Sequence, residues 1–299
     1  MTDTALATTT DRGNIKELPS PGQLALRRFM KHKLAVVGLV ILVIIVLAAI
    51  FAPWLTPWEP NQVDLRARSQ PPSADHWLGT DRTGRDILTR TLYAGRISLM
   101  VGVVAVLISV VIGAFLGAIA GYFGGIWDSI IMRTTDVFMT FPAIVAILTL
   151  AAIVGPGVRN IILIIGLLNW PMPARLVRSR LLSVRRLEYI HAAETLGAPS
   201  SRIILRHALP NAYDVLIVYS SLGVATAILL EAGLSFLGLG VQPPAASWGN
   251  MLNVARNVSV LEGQPWLWLP PGIAIVLTVL AVNFVGDGLR DAFDPRMKQ

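Results

Sequence analysis

The chain of 299 residues contains no cysteine. That absence excludes disulfides, thiolate metal sites and cysteine nucleophiles, and it leaves the redox compartment unread. Charge is scarce too. Asp, Glu, Lys and Arg make up 14% of the residues against 54% hydrophobic, where an ordinary soluble domain carries roughly 25% charge. No Gly-x-x-x-x-Gly-Lys-Ser/Thr loop occurs, so the chain cannot cradle ATP by that route. The four histidines, His32, His76, His191 and His207, are scattered over predicted loops and termini. They form neither a metal set nor an acid/base cluster, and no catalytic residue and no metal ligand is expected. Ionisable side chains are missing from the apolar runs as well, with Asp136 and Glu231 only at their edges. A proton- or sodium-driven carrier commonly places such groups inside its spans, so that class is disfavoured.

What is present is long uncharged sequence. Six stretches run from Leu34 to Trp58, Ile97 to Trp127, Val137 to Val158, Asn160 to Ala174, Val215 to Leu230 and Gly263 to Gly286. A charge at a span centre costs about 2.5–3.5 kcal/mol on insertion scales, so these lengths predict an all-α polytopic membrane protein with six transmembrane helices, the fourth and fifth short. The first run is too long for a signal-peptide core and reads as a retained anchor. The Thr-rich N-terminus is expected to be disordered, within a tail covering residues 1–33.

The net charge of +7 could suggest nucleic acid, but the basic residues cluster beside apolar spans, as they do in cytoplasmic loops of membrane proteins. Arg27, Arg28, Lys31 and Lys33 precede the first span. Arg175, Arg178, Arg180, Arg185, Arg186, Arg202 and Arg206 fill the segment between the fourth and fifth. Both regions, and both termini, are expected on the cytoplasmic side. The loop Glu59–Arg96 holds six arginines nearly balanced by five acids, and span parity places it outside. Seven of the eight Trp residues, all but Trp77, fall at or near span ends, as interfacial anchors do.

One polar insertion stands out, at 186–211. Glu188 to Leu196 favours helix, and Gly197 with Pro199 is a stop signal. Ser200 or Ser201 can cap a second short helix that Pro210 ends, and Asn211 with Asp214 looks like the cap of the next apolar helix. Ala193 and Gly197, four apart, leave one side of the first helix nearly bare, which suits close approach by another protein. Tyr189, His191, Ala192, Ala193, Glu194, Gly197, Arg206, Leu209 and Pro210 are the candidate docking residues. Gly113, Gly117 and Gly121 form a small-residue stripe for helix packing. The interrupted segments at Asn169-Trp170-Pro171 and Ser235-Phe236 are the candidate lining of a translocation path, because broken spans mark such sites in secondary transporters.

Ala192-Ala193, Gly197 and Leu209-Pro210 resemble the EAA-type loop of bacterial ABC importer permeases, with His191 in place of the usual Glu. Leu78-Gly-Thr-Asp-Arg-Thr-Gly-Arg-Asp86 resembles a signature of the C-type permeases of dipeptide, oligopeptide and nickel importers. Glu231-Ala-Gly-Leu-Ser-Phe-Leu-Gly-Leu-Gly240 and Gly286-Asp-Gly-Leu-Arg-Asp291 also look like that branch. The resemblance runs from about Arg28 to Arg296. It implies a type I importer permease core over 97–290, preceded by the first transmembrane helix and its external loop at 34–96 and followed by a short tail at 291–299. It further implies a bacterial cytoplasmic-membrane subunit that works with a second permease, two ATPase subunits and an external solute-binding protein. ATP and Mg would sit on the ATPases and no cofactor on this chain. Di- or oligopeptides are the cargo the resemblance suggests first, with nickel chelates or glutathione as the alternative.

Overall fold

The computed structural model describes residues 21–293, and among them every regular element is a helix. Five helical stretches are long and apolar enough to cross a membrane, and a sixth arises if one sharply bent pair is counted as a span. The expected Thr-rich disorder and the last residues of the C-terminal tail lie outside the described residues.

The expected tail of 1–33 is helical in its last third. Helix α1 (Pro21–Lys31) lays Ala25 and buried Phe29 against Val285, Leu289 and Ala292. Helix α2 (Lys33–Ile50) starts where His32 Nδ1 accepts the Ala35 amide at 3.1 Å. The first span was expected to reach Trp58, but it stops at Ile50 and only the short α3 (Ala52–Leu55) follows. Pro53 has no N–H to continue the helical ladder, which accounts for the break.

Helix α4 (Ile87–Phe123) begins ten residues before the expected Ile97, because Asp86 is its N-cap and accepts the Thr89 amide at 2.7 Å. Arg90 and Arg96 are therefore on a helix and not in a loop. Arg96 donates to the carbonyls of Ala49 at 2.6 Å and Ile50 at 2.9 Å, which the end of α2 leaves without helical partners.

The expected third span is not one rod. It divides into α5 (Gly125–Thr140) and α6 (Ala143–Val154), bent by 84° at Phe141-Pro142. The fourth is longer than expected. Helices α7 (Val158–Leu168) and α8 (Pro171–Val184) run on as one stretch of 27 residues, so Arg175, Arg178 and Arg180 are helical. They pair with Asp136, Asp128 and Asp214, the last at 2.5 Å. A Cβ on Gly113 would lie 2.8 Å from the Trp170 carbonyl. On Gly117 it would lie 2.4 Å from that of Ala174, and on Gly121 2.9 Å from that of Arg178. The backbone of α8 thus rests directly on the glycine stripe of α4, an approach that any side chain would prevent.

Helix α9 (Glu188–Thr195) and α10 (Ser200–Ile203) follow, then α11 (Tyr213–Phe236). Three local expectations fail here. Neither Ser200 nor Ser201 caps α10, whose N-cap is Pro199. Pro210 does not end the helix, because a π turn (Ile204–Ala208) and a 3-10 turn (Leu209–Ala212) carry the chain on into α11. A proline is accommodated at this point because it occupies the first turn of the 3-10 segment, where an N–H is not needed. Asn211 is not a cap either; its amide donates to the His207 carbonyl at 2.6 Å and the Tyr189 hydroxyl at 3.2 Å.

Short helices α12 (Trp248–Leu252) and α13 (Val258–Gly263) precede α14 (Leu269–Phe293). The sixth span is thereby displaced from the expected Gly263–Gly286 towards the C-terminus. Two Trp residues are not interfacial anchors. Trp248 is 2% exposed in a core with Ala232 and Leu267, donating its indole N–H to the Thr91 carbonyl at 2.9 Å. Trp170 is buried against Phe138.

Candidate coupling elbow, membrane cavities and external cap

At the end of the bundle that holds residues 185–212, α9 and α10 form an elbow with two unlike sides. Its inner side carries Ile190 and Ile203, both fully buried, in one apolar cluster with Leu181, Val184, Ala208 and Ala212. The Tyr122 hydroxyl donates to Glu194 at 3.0 Å, which ties α9 to the end of α4. The Arg185 guanidinium lies over the ring of Tyr122. His191 Nδ1 is 3.5 Å from Glu194, both partners being well exposed.

The outer side is different. Ala192 and Gly197 are exposed, Leu196 is 87% exposed, and Gly197 has φ +76° with nothing within 4 Å of where a Cβ would stand. Ala193 is turned inward onto the apolar cluster, so Ala193 and Gly197 do not share one bare face; the open surface is made by Ala192, Leu196 and Gly197. Arg206 and Pro210 are exposed, and Leu209 is half-buried.

The candidate path residues separate. Asn169 lines a cavity of about 270 Å³ with Ser109, Met172, Tyr219 and Thr226. Trp170 and Pro171 do not line it. The Trp170 carbonyl lies against Gly113 of the glycine stripe, and Pro171 is buried at the start of α8. Ser235 is buried and borders a second cavity of about 390 Å³. The carbonyl of Phe236 accepts a hydrogen bond from Asn253. Tyr219 donates to the Asn169 carbonyl at 3.3 Å, and from Tyr219 to Ser235 the helix rises about 24 Å, so the two segments do not meet in one chamber.

Two buried groups escaped the sequence reading. Glu231, expected at a span edge, is fully buried within α11. It accepts the hydroxyls of Ser98 at 2.9 Å and Ser235 at 2.7 Å. Those hydroxyls in turn accept the amides of Trp248 at 3.2 Å and Val241 at 3.0 Å, so the carboxyl fastens the segment after α11 to both α4 and α11. The spacing of Glu231 and Ser235, one helical turn apart, was the available signal. His76 is the second group: it is 5% exposed, stacks on Trp58, and its Nδ1 lies 3.0 Å from Asp86.

The cap formed by 56–86 is held chiefly by its own polar groups. Burial pushes the Asp81 carboxyl upward, but hydrogen bonds from the Thr83 hydroxyl, the Arg85 and Thr83 amides and the Arg85 guanidinium outweigh it. They leave the group below its ordinary value of 3.8.

A bundle of membrane-length helices with one sharply bent pair, cavities among the helices and an exposed elbow at one end is the architecture of an integral membrane protein. Residues 110–299 match the family described as binding-protein-dependent transport system inner membrane component. Residues 20–72 match the N-terminal TM domain of oligopeptide transport permease C. A putative peptide permease protein of Brucella suis is 51% identical over 270 residues, covering 90% of this chain and 89% of that protein. The dipeptide transport system permease protein DppC of Alkalihalophilus pseudofirmus is 46% identical over 279 residues, covering 93% and 91%. A putative peptide transport system permease protein of Brucella abortus is 43% identical over 279 residues, 93% of each. The chain belongs to the binding-protein-dependent transport system inner membrane component family, in the branch of the C-type ABC importer permeases.

Proposed function

We propose that this chain is one of two permease subunits of an importer of di- or oligopeptides, driven by ATP hydrolysed on two partner ATPases and loaded by an external binding protein. The peptide cargo is supported by the names of the relatives, which are peptide and dipeptide permeases. One observation carries the coupling role. The elbow is locked to the bundle on its inner side by Ile190, Ile203 and the Tyr122–Glu194 bond, yet it leaves Ala192, Leu196 and Gly197 uncovered. Leu196, 87% exposed, lies between the small residues Ala192 and Gly197, and a surface with so little side-chain bulk lets a partner come close to the backbone. Motion of the ATPases then passes through the elbow as rigid-body displacement of helices, the usual form of alternating access.

This reading sets the elbow and both termini in the cytoplasm and the segments 56–86 and 237–268 outside, in a bacterial cytoplasmic membrane. A single cysteine at Ser200 should resist a membrane-impermeant thiol reagent applied to sealed cells, in a chain with no cysteine of its own. Gly197→Asp should leave the protein inserted and abolish peptide uptake by the reconstituted complex, with the ATPases detached or no longer stimulated by the loaded binding protein. Normal uptake with full stimulation would refute the coupling role.

A further inference from the structure

The second cavity has a charge pattern that the transport reading does not use. About 390 Å³ in volume, it lies between the cap, the end of α11 and the segment around α12. Asp81, Arg82, Arg85, Arg90, Ser235 and Asn250 are among its lining. Its volume is within the roughly 300–1,000 Å³ of small-molecule sites. Three arginines and one aspartate are the charged residues of its lining, Arg82 being exposed, and the aspartate is already engaged. Asp81 Oδ1 accepts the Thr83 amide at 2.8 Å, the Thr83 hydroxyl at 2.7 Å and the Arg85 amide at 3.0 Å, and Oδ2 accepts Arg85 Nε at 2.7 Å.

Arg90, 5% exposed, stands 4.0 Å from the same carboxylate. It donates instead to the Pro60 carbonyl at 3.0 Å and Asn61 Oδ1 at 3.3 Å. The Arg82 guanidinium has no hydrogen bond or ion pair among the described residues. Glu231 is screened from the cavity by Ser235, whose hydroxyl is turned to it at 2.7 Å. The lining therefore holds an excess of positive charge that the protein itself does not neutralise. Cations held together in a partly enclosed space attract an anion, and a guanidinium offers the planar fork that matches a carboxylate.

We propose that this cavity is a carboxylate-binding vestibule, with Arg82 as the group that captures the anion and Arg85 and Arg90 supplying the fixed field around it. On the peptide reading, on which the identity of the ligand rests, the anion is the C-terminal carboxylate of the cargo.

The test uses the assembled transporter in lipid nanodiscs with one reporter, Gln242→Cys, at an exposed position of the cavity rim. Labelling of this chain by an anionic and a cationic methanethiosulfonate is followed by mass spectrometry. The anionic reagent should react faster. Arg82→Gln should remove about tenfold of that preference, the order of one charge-assisted contact, while Arg82→Lys retains most of it. Alanyl-alanine should protect the cysteine, and alanyl-alanine amide should not. Equal anionic preference with and without Arg82→Gln would overturn the site, as would equal protection by the amide. Protection by inorganic phosphate as strong as that by alanyl-alanine would overturn the carboxylate assignment. Protection by acetate and alanyl-alanine without any peptide uptake by the intact complex would leave the vestibule standing and remove the peptide reading.

Discussion

The elbow and the cap each turn on a glycine in the left-handed region, Gly197 at φ +76° and Gly84 at φ +82°. Their surroundings are opposite. A Cβ on Gly84 would lie 1.7 Å from the Asp64 carbonyl oxygen, whereas one on Gly197 would meet nothing within 4 Å. In the cap, the missing side chain lets two strands of backbone cross. In the elbow, it leaves a space that the chain itself never fills. A glycine whose Cβ would strike backbone and a glycine whose Cβ would meet open space cannot be told apart by conformation, but their neighbours separate them.

Substitution should break the symmetry between the two sites. Gly84→Ala combines backbone strain with a clash that only main-chain movement relieves. It should cost about 3 kcal/mol or more, seen as loss of folded protein or a large fall in Tm in detergent. Gly197→Ala meets strain alone, about 1–2 kcal/mol, and a Tm drop as large as that of Gly84→Ala would erase the contrast.

Glu231 sharpens the comparison from beneath the cap. Glu231→Ala removes the acceptor of two buried hydroxyls and should destabilise by about 2–3 kcal/mol. Glu231→Gln preserves shape and one carbonyl acceptor and should cost less. Thermal unfolding of the two variants side by side is the check, and an equal loss in both would show that the one acceptor Gln retains contributes nothing.

On the elbow, Tyr122→Phe deletes the bond to Glu194 and should cost about 0.5–1.5 kcal/mol. Hydrogen exchange should rise in α9 and stay unchanged in the cap. The smallest effect is that of pH on the cap. Because Asp81 is held below 3.8 when folded, its contribution is present above that value and is lost as pH falls through the lowered folded value. Protection of the cap amides should therefore decline only below about pH 3.8, and Asp81→Asn should make it insensitive to that step.

Much of this was legible in the sequence. Long uncharged runs fix helices in a membrane whatever the packing, and the spacing of Gly113, Gly117 and Gly121 marks the contact that α8 makes with α4. The breaks were harder to read. Phe141-Pro142 bends a continuous apolar run by 84°, and hydropathy has no term for direction. Pro210 looked like a stop and lies inside a helical column, because a proline in a first turn and a proline in a helix interior have the same letter. Of the site, the elbow was visible as polar sequence between spans, but which of Ala192 and Ala193 faces outward depends on Ile190 and Ile203 meeting the same cluster. The pairing of Glu231 with Ser98, 133 residues apart, needs tertiary structure.

The π turn at Ile204–Ala208 acts as a setting on a shaft. Each residue added to a helix rotates everything beyond it by about 100° and advances it by 1.5 Å. The extra residue accommodated in that turn therefore fixes the azimuth at which α10 leaves α11, and with it the angle between the open elbow face and the carboxyl of Glu231 at the far end. Deleting one residue there would turn the elbow face by about 100° relative to Glu231, so the two ends of the permease are kept in phase by a count.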